Sequence, residues 1–117
     1  MLESANECAY ATAEHVGADM GGDYQTFIDA MNEKAKSLGC VNSNFMNPNG
    51  LHNPDHYTCA YDMALIACDA YQKEDFRIIC GSKRYTIPPT NKHSDPTYLN
   101  NNHAMIHNYK TDAYLYD

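Results

Sequence analysis

The sequence has no tryptophan, no Cys-x-x-Cys pair, no cluster of basic residues and no long apolar run. Each absence removes a class of function. A bilayer span needs about 20 consecutive apolar residues, and the longest apolar stretch here, Met63 to Cys68, has the length of a core helix segment. Zinc ribbons and thioredoxin-like redox sites are built on Cys-x-x-Cys, a spacing that Cys8, Cys40, Cys59, Cys68 and Cys80 do not provide. Lys and Arg number 8 against 15 Asp and Glu, a formal net charge of -7. A surface of that sign repels phosphate backbones and anionic headgroups, so neither nucleic acid nor a membrane is an expected partner of this segment. A basic stretch followed by an apolar one, the mark of a signal peptide, is also missing from the start.

What remains is ordinary globular material. The 117 residues suffice for one domain with one core, and 44% hydrophobic with 20% charged residues exclude wholesale disorder. Ala5, Cys8, Ala9, Thr12, Ala13 and Val16 recur at helical spacing and predict a helix over Ser4 to Val16, broken by the three glycines of Gly17 to Gly22. A second helix is expected from Asp23 to Leu38, with Tyr24, Phe27, Met31, Ala35 and Leu38 as its apolar stripe and Gly39 as its left-handed terminator. Val41 to Tyr57 holds five Asn, two Pro and one Gly, which predicts a long ordered loop fastened by side-chain-to-backbone hydrogen bonds. Asn42, Asn47 and Asn49 are read as such fasteners.

Thr58 is placed to cap a third helix ending at Tyr71, apolar nearly all round and therefore expected to be central and buried. A short helix follows over Glu74 to Cys80, then a strand over Arg84 to Ile87 closed by Pro88-Pro89. A helical turn around Asn102 to His107 and a strand over Ala113 to Tyr116 complete the reading. The fold class is thus mainly α, with a small β hairpin near the C-terminus. Both ends look cut. Cys8 and Cys68 fall on apolar helical faces, so buried free thiols are favoured over disulfides. Cys40 and Cys59, at helix boundaries, are the pair to examine first.

Ser4 admits two readings. With Glu7 three residues on it forms a capping-box pattern. Alternatively, Ser4 and Asn6 lie on a non-helical lead-in, since residues two apart on a helix do not share a face.

Taken in order, Ser4-Ala5-Asn6-Glu7, Ala13-Glu14-His15-Val16, Phe27, Met31-Asn32 and Lys34 to Gly39 form a pattern. It continues through Asn42, Phe45, Asn47 to Leu51, His56-Tyr57 and Ala60 to Ala64. The series resembles the penicillin-binding D-alanyl-D-alanine carboxypeptidases of the low-molecular-weight type. The resemblance covers most of Ser4 to Ile87, and more loosely Asn91 and Leu99 to Asn102. It implies a segment of the helical lobe of a β-lactamase/transpeptidase-like fold, spanning residues 1–117. It also implies serine-type removal of the terminal D-alanine from peptidoglycan stem peptides through an acyl-enzyme, β-lactams as further ligands, and an extracytoplasmic location at the cell envelope. No cofactor and no metal are implied.

Such enzymes use three motifs, Ser-x-x-Lys, Ser-x-Asn and Lys-Thr-Gly. Ser4 and Asn6 match the second. The resemblance makes Ser4 a proton relay between the first motif's lysine and the leaving D-alanine, and Asn6 a hydrogen-bonding partner of the substrate amide. Ser4, Ser37, Ser43 and Ser94 all lack a lysine three residues on, and Lys110-Thr111 is followed by Asp112 rather than glycine. The chain alone is therefore expected to be inactive.

Two other function classes stay in view. His52 and His56, and His103 and His107, share the four-residue spacing of helical metal ligands, but lack an acid and a third ligand. Ten tyrosines, five after residue 84, suit a helical module that binds a partner.

Overall fold

The structure of the protein, a computed structural model, describes residues 2–103. The described residues divide into two compact units, one of residues 5–73 and one that gathers residues 2–4 with residues 74–103.

The larger unit opens with an α-helical hairpin. α1 runs Asn6–Asp19 and α2 runs Tyr24–Ser37. The glycines of Gly17 to Gly22 were expected to break α1, yet the helix continues through Gly17. The reason is tertiary. Gly17 is buried, and a side chain there would collide with the carbonyl group of Asp23, so the glycine lets the inter-helix turn fold onto α1. Gly21 then supplies the positive φ of 84° that the turn requires. Asp23 caps α2 in a reciprocal box: Thr26 N–H donates to Asp23 Oδ1 and Asp23 N–H donates to Thr26 Oγ1, each at 3.1 Å.

Ala13, Ile28 and Ala35 are the buried apolar residues of this hairpin. Ile28 is 1% exposed, and burial of that kind stabilises by about 1.5–3 kcal/mol. The expected stripe omits Ile28, and its other members, Tyr24, Phe27, Met31 and Leu38, are half-buried. Tyr10 of α1 stacks on Tyr24 of α2, ring centroids 5.4 Å apart. At the C-terminus of α2, Gly39 adopts φ 89° while Gly39 N–H donates to Lys36 O and Cys40 N–H to Ala35 O. This pair of bonds is the Schellman arrangement.

α3 covers Ala60–Tyr71. Its N-cap is Cys59, without a side-chain capping bond, rather than the expected Thr58. The expectation of a central, buried α3 also fails: its one buried residue is Asp62, while Tyr61, Met63 and Tyr71 are 70%, 43% and 48% exposed. An all-round apolar sequence states that a helix can be covered, not that this segment covers it. Cys8 and Cys68 are likewise exposed rather than buried; Cys40 is buried, Cys59 and Cys80 are half-buried, and all five are free thiols.

The second unit carries α4, Glu74–Gly81, and a two-stranded antiparallel sheet. β1 (Arg84–Ile87) occupies the predicted positions, and its partner is β2 (Thr97–Asn100), which the sequence reading missed. The register pairs Arg84 with Asn100 and Ile87 with Thr97. Asn101 fastens the hairpin to the end of α4, its Nδ2 donating to Cys80 O and Ser82 O at 3.3 and 3.0 Å. The expected strand over Ala113 to Tyr116 lies outside the described residues, as do residues 104–107 of the expected helical turn.

Candidate functional site

Ser4 is not a helix cap. The N-cap of α1 is Ala5, with extended φ and ψ of -71° and 113° and no side-chain capping bond. α1 begins at Asn6, so the motif lies on the lead-in and the first helical position, the second of the two sequence readings. Ala is a poor N-cap, worth about 1 kcal/mol less than Ser or Asn at that position. Helix stability alone would move Ser4 or Asn6 one place along. Ser4 instead takes φ 53°, and among the described residues it is the one non-glycine with positive φ. A left-handed serine costs about 1–3 kcal/mol and is retained chiefly where a side chain must be aimed. Ser4 and Asn6 are both exposed. Ser4 belongs to one unit, and Ala5 and Asn6 belong to the other.

The Asn-rich loop is held as its composition predicts, with one addition. Asn44 and Tyr57 form an isolated antiparallel bridge, with N–H···O distances of 2.8 and 3.0 Å in the two directions. Asn47, buried, donates to Leu51 O and accepts from Gly50 N–H at 2.9 and 2.8 Å. Asn49 accepts from Leu51 N–H at 3.1 Å. Asn42 contributes its backbone N–H rather than its side chain. The addition is Asn32 of α2, whose amide grips Phe45: Phe45 N–H donates to Oδ1 at 2.7 Å and Nδ2 donates to Phe45 O at 2.8 Å. A half-buried Asn on a helix facing an irregular segment was the available signal.

Asp62 anchors the base of the loop. Its Oδ2 accepts from Asn42 N–H and from Ser43 Oγ–H, both at 2.7 Å. Because the one Ser43 proton goes to the carboxylate, Thr58 must be the donor in the 2.7 Å bond between the two hydroxyls. The Ser43 hydroxyl is the largest influence on Asp62 and holds its carboxyl below the usual range, against the opposing effect of burial. Oδ1 is buried and makes no hydrogen bond among the described residues. All of these groups brace the loop; no nucleophile and base are paired among them.

A cavity of about 270 Å³ opens between α2 and α3, lined by Met31, Leu38, Phe45, Met63 and Ile66. The Lys34–Asp69 ion pair, 3.1 Å, sits among its lining residues. One half-exposed ion pair offers too little polarity to orient a reacting group.

Among the described residues, no group of three or more His, Cys, Asp or Glu able to hold an ion occurs. His56 is committed to the loop, its Nδ1 accepting from Met46 N–H at 3.1 Å while its ring meets Phe45 edge-on. His52 and His103 are exposed, and His107 lies outside the described residues.

Comparison with known proteins gives the same direction from sequence and from shape. A family model described as D-alanyl-D-alanine carboxypeptidase matches residues 1–114. The D-alanyl-D-alanine carboxypeptidase DacF of Bacillus subtilis is 37% identical over 81 residues, 69% of this chain and 20% of the relative. A D-alanyl-D-alanine endopeptidase of Escherichia coli is 36% identical over 113 residues, 90% of this chain and 32% of the relative. Among solved structures, a mutant Streptomyces DD-transpeptidase superposes with a TM-score of 0.82 at 28% identity, covering 94% of this chain and 44% of that one. Penicillin binding protein 5 of Haemophilus influenzae gives a TM-score of 0.71 at 27% identity, covering 88% of this chain and 27% of that one. The chain thus spans roughly a fifth to a third of the curated relatives it matches.

Proposed function

The chain belongs to the D-alanyl-D-alanine carboxypeptidase family, and from that premise we propose that it forms the Ser-x-Asn-bearing helical lobe of a serine-type carboxypeptidase. In this reading the complete enzyme removes the terminal D-alanine of peptidoglycan stem peptides, at the cell envelope, and is acylated by β-lactams. Ser4 relays a proton and Asn6 holds the substrate amide. The residue types fit these tasks: a hydroxyl both donates and accepts, and a carboxamide does so at two separate atoms.

The observation that carries the proposal is the backbone at Ser4. Its φ of 53° and the uncapped Ala5 that follows sacrifice local stability at the motif residues. Outliers of this kind cluster at functional sites.

The nucleophile and the activating lysine are supplied by Ser-x-x-Lys, and the substrate-pairing strand by Lys-Thr-Gly, motifs this sequence does not contain. The test is D-alanine release from a stem pentapeptide by a protein extended into the flanking coding sequence. With both motifs present, Ser4→Ala is expected to lower kcat by about 10²–10⁴, the usual worth of a positioned proton-transfer group, with an unchanged circular dichroism spectrum. Unchanged turnover in the folded variant would remove Ser4 from the mechanism.

A second reading, a helical module that docks a partner, is favoured by the exposure of Tyr61, Met63 and Tyr71 on α3. Sizing this chain beside the extended protein separates the two. An oligomer formed only by the shorter chain marks apolar surface that the extended protein covers itself, whereas one formed by both supports the docking role.

A further inference from the structure

The Asn-rich loop holds the one Asn-Gly pair of the sequence, Asn49-Gly50. Glycine has no side chain to shield its backbone nitrogen from the carboxamide carbon of the residue before it. The other asparagines of the loop lack that opening. Asn47 and Asn53 precede proline, which has no N–H to ionise. Asn42 and Asn44 precede Ser43 and Phe45, whose side chains crowd the approach.

Opposing contacts meet at this pair. The Asn49 carboxamide is poised to react: its Oδ1 accepts from Leu51 N–H at 3.1 Å, a donor placed to stabilise negative charge growing on that oxygen. Its Nδ2 is buried without a hydrogen-bond partner among the described residues, so nothing there holds the nitrogen that would leave. The nucleophile, by contrast, is restrained. Gly50 N–H donates to Asn47 Oδ1 at 2.8 Å, and Asn47 Nδ2 donates to Leu51 O at 2.9 Å, so one buried side chain clasps both residues. The Gly50 nitrogen must lose its proton before it can attack, and the clasp aims that proton at Asn47 rather than leaving it to solvent.

We infer that Asn49-Gly50 is a deamidation site that the Asn47 side chain keeps closed in the folded chain. The reaction needs only water. When the clasp opens, solvent base takes the Gly50 N–H proton and the nitrogen attacks Asn49 Cγ. The Cγ–Nδ2 bond breaks, the departing nitrogen takes up a proton and leaves as ammonia, and a cyclic imide remains. Water adds to one of the two imide carbonyls and opens the ring. Breaking the new bond from Gly50 N to Cγ gives aspartate; breaking the original bond from Gly50 N to the Asn49 carbonyl carbon gives isoaspartate. The sum is one water consumed and one ammonia released, with nothing oxidised or reduced. In isoaspartate the main chain runs through Cβ and Cγ, one atom longer inside the turn that Asn47 spans.

The 117-residue chain and its Asn47→Ala and Gly39→Ala variants are kept in mildly alkaline buffer, sampled over days and digested with trypsin. Cleavage after Lys36 and Lys73 leaves the whole loop on one peptide, whose fragmentation assigns any new acid to Asn42, Asn44 or Asn49. Asn49 should convert about 5- to 150-fold faster in Asn47→Ala than in the unaltered chain, the rise in open population expected from losing two ordinary hydrogen bonds. Gly39→Ala strains the end of α2, at φ 89°, and leaves the clasp in place, so its smaller effect on Asn49 separates a released clasp from a general loss of stability. The unaltered chain unfolded in urea should convert fastest. Asn49 converting no faster in Asn47→Ala than in the unaltered chain, or equally fast in the two variants, would overturn the inference. So would a folded, unaltered chain that converts as fast as it does in urea.

Discussion

Replacing Asn32 with alanine should detach the Asn-rich loop from α2. The side chain makes two bonds to the same residue, at 2.7 Å from Phe45 N–H and 2.8 Å to Phe45 O, and a weaker 3.2 Å bond to Ile28 O. Each of the two short bonds is worth about 0.5–1.5 kcal/mol net. Their removal also leaves the part-buried N–H and C=O of Phe45 without partners, so the expected total is about 2–3 kcal/mol. Urea unfolding followed by far-UV circular dichroism measures it: the midpoint should fall while the slope against urea stays the same. Amide exchange at Phe45 should accelerate more than exchange at Gly50, whose N–H is held by Asn47 Oδ1. Asn32→Asp keeps the acceptor for Phe45 N–H but points an oxygen at Phe45 O, so it should be no more stable than alanine. A loss below about 0.5 kcal/mol, the range of ordinary surface changes, would refute the argument that Asn32 holds the loop.

Asp62 predicts an acid limb. Its carboxyl is held low mainly by Ser43, so its contribution is complete above the unfolded Asp pKa of about 3.9 and is lost as pH falls through the lower folded value. Asp62→Asn should flatten the fall in unfolding midpoint between neutral and acid pH, and an unchanged profile would contradict the assignment. The glycines should separate by mechanism. Gly39→Ala meets only Leu65 Cδ1 at 3.9 Å and pays for φ 89° alone, about 1–2 kcal/mol. Gly17→Ala collides with the backbone of Asp23 and should cost more than Gly39→Ala in the same urea assay. Lys34→Ala breaks a half-exposed ion pair and should change stability by less than about 1 kcal/mol.

The parts of the fold legible in the sequence are those fixed locally. α2 was bounded well because Asp23 and Gly39 act through their own backbone and near neighbours. β1 was bounded by Pro88-Pro89. α1 was cut short because Gly17 looks like a breaker, while its actual reason is the approach of Asp23, visible only in three dimensions. β2 carries four residues of ordinary composition beyond a long connection, too little alternation to register. Asp62 on an apolar helix reads as a solvent-facing charge, and its partners Asn42 and Ser43 lie a full loop away.

The Ser-x-Asn motif was legible as a pattern, but its backbone was not. Spacing allowed both a capping box and a lead-in, and the choice rests on φ and ψ at Ser4 and Ala5. Those angles also explain why a strong capping sequence is not used as one.

In the proposed function this chain supplies one wall of an acylating site, and the nucleophile comes from Ser-x-x-Lys. Incubation of the 117-residue chain with a fluorescent β-lactam, followed by denaturing electrophoresis and mass spectrometry, tests that division directly. No covalent adduct should form, while protein extended to include Ser-x-x-Lys and Lys-Thr-Gly should label. A stable adduct on the chain itself, at Ser4 or any other serine, would contradict the account.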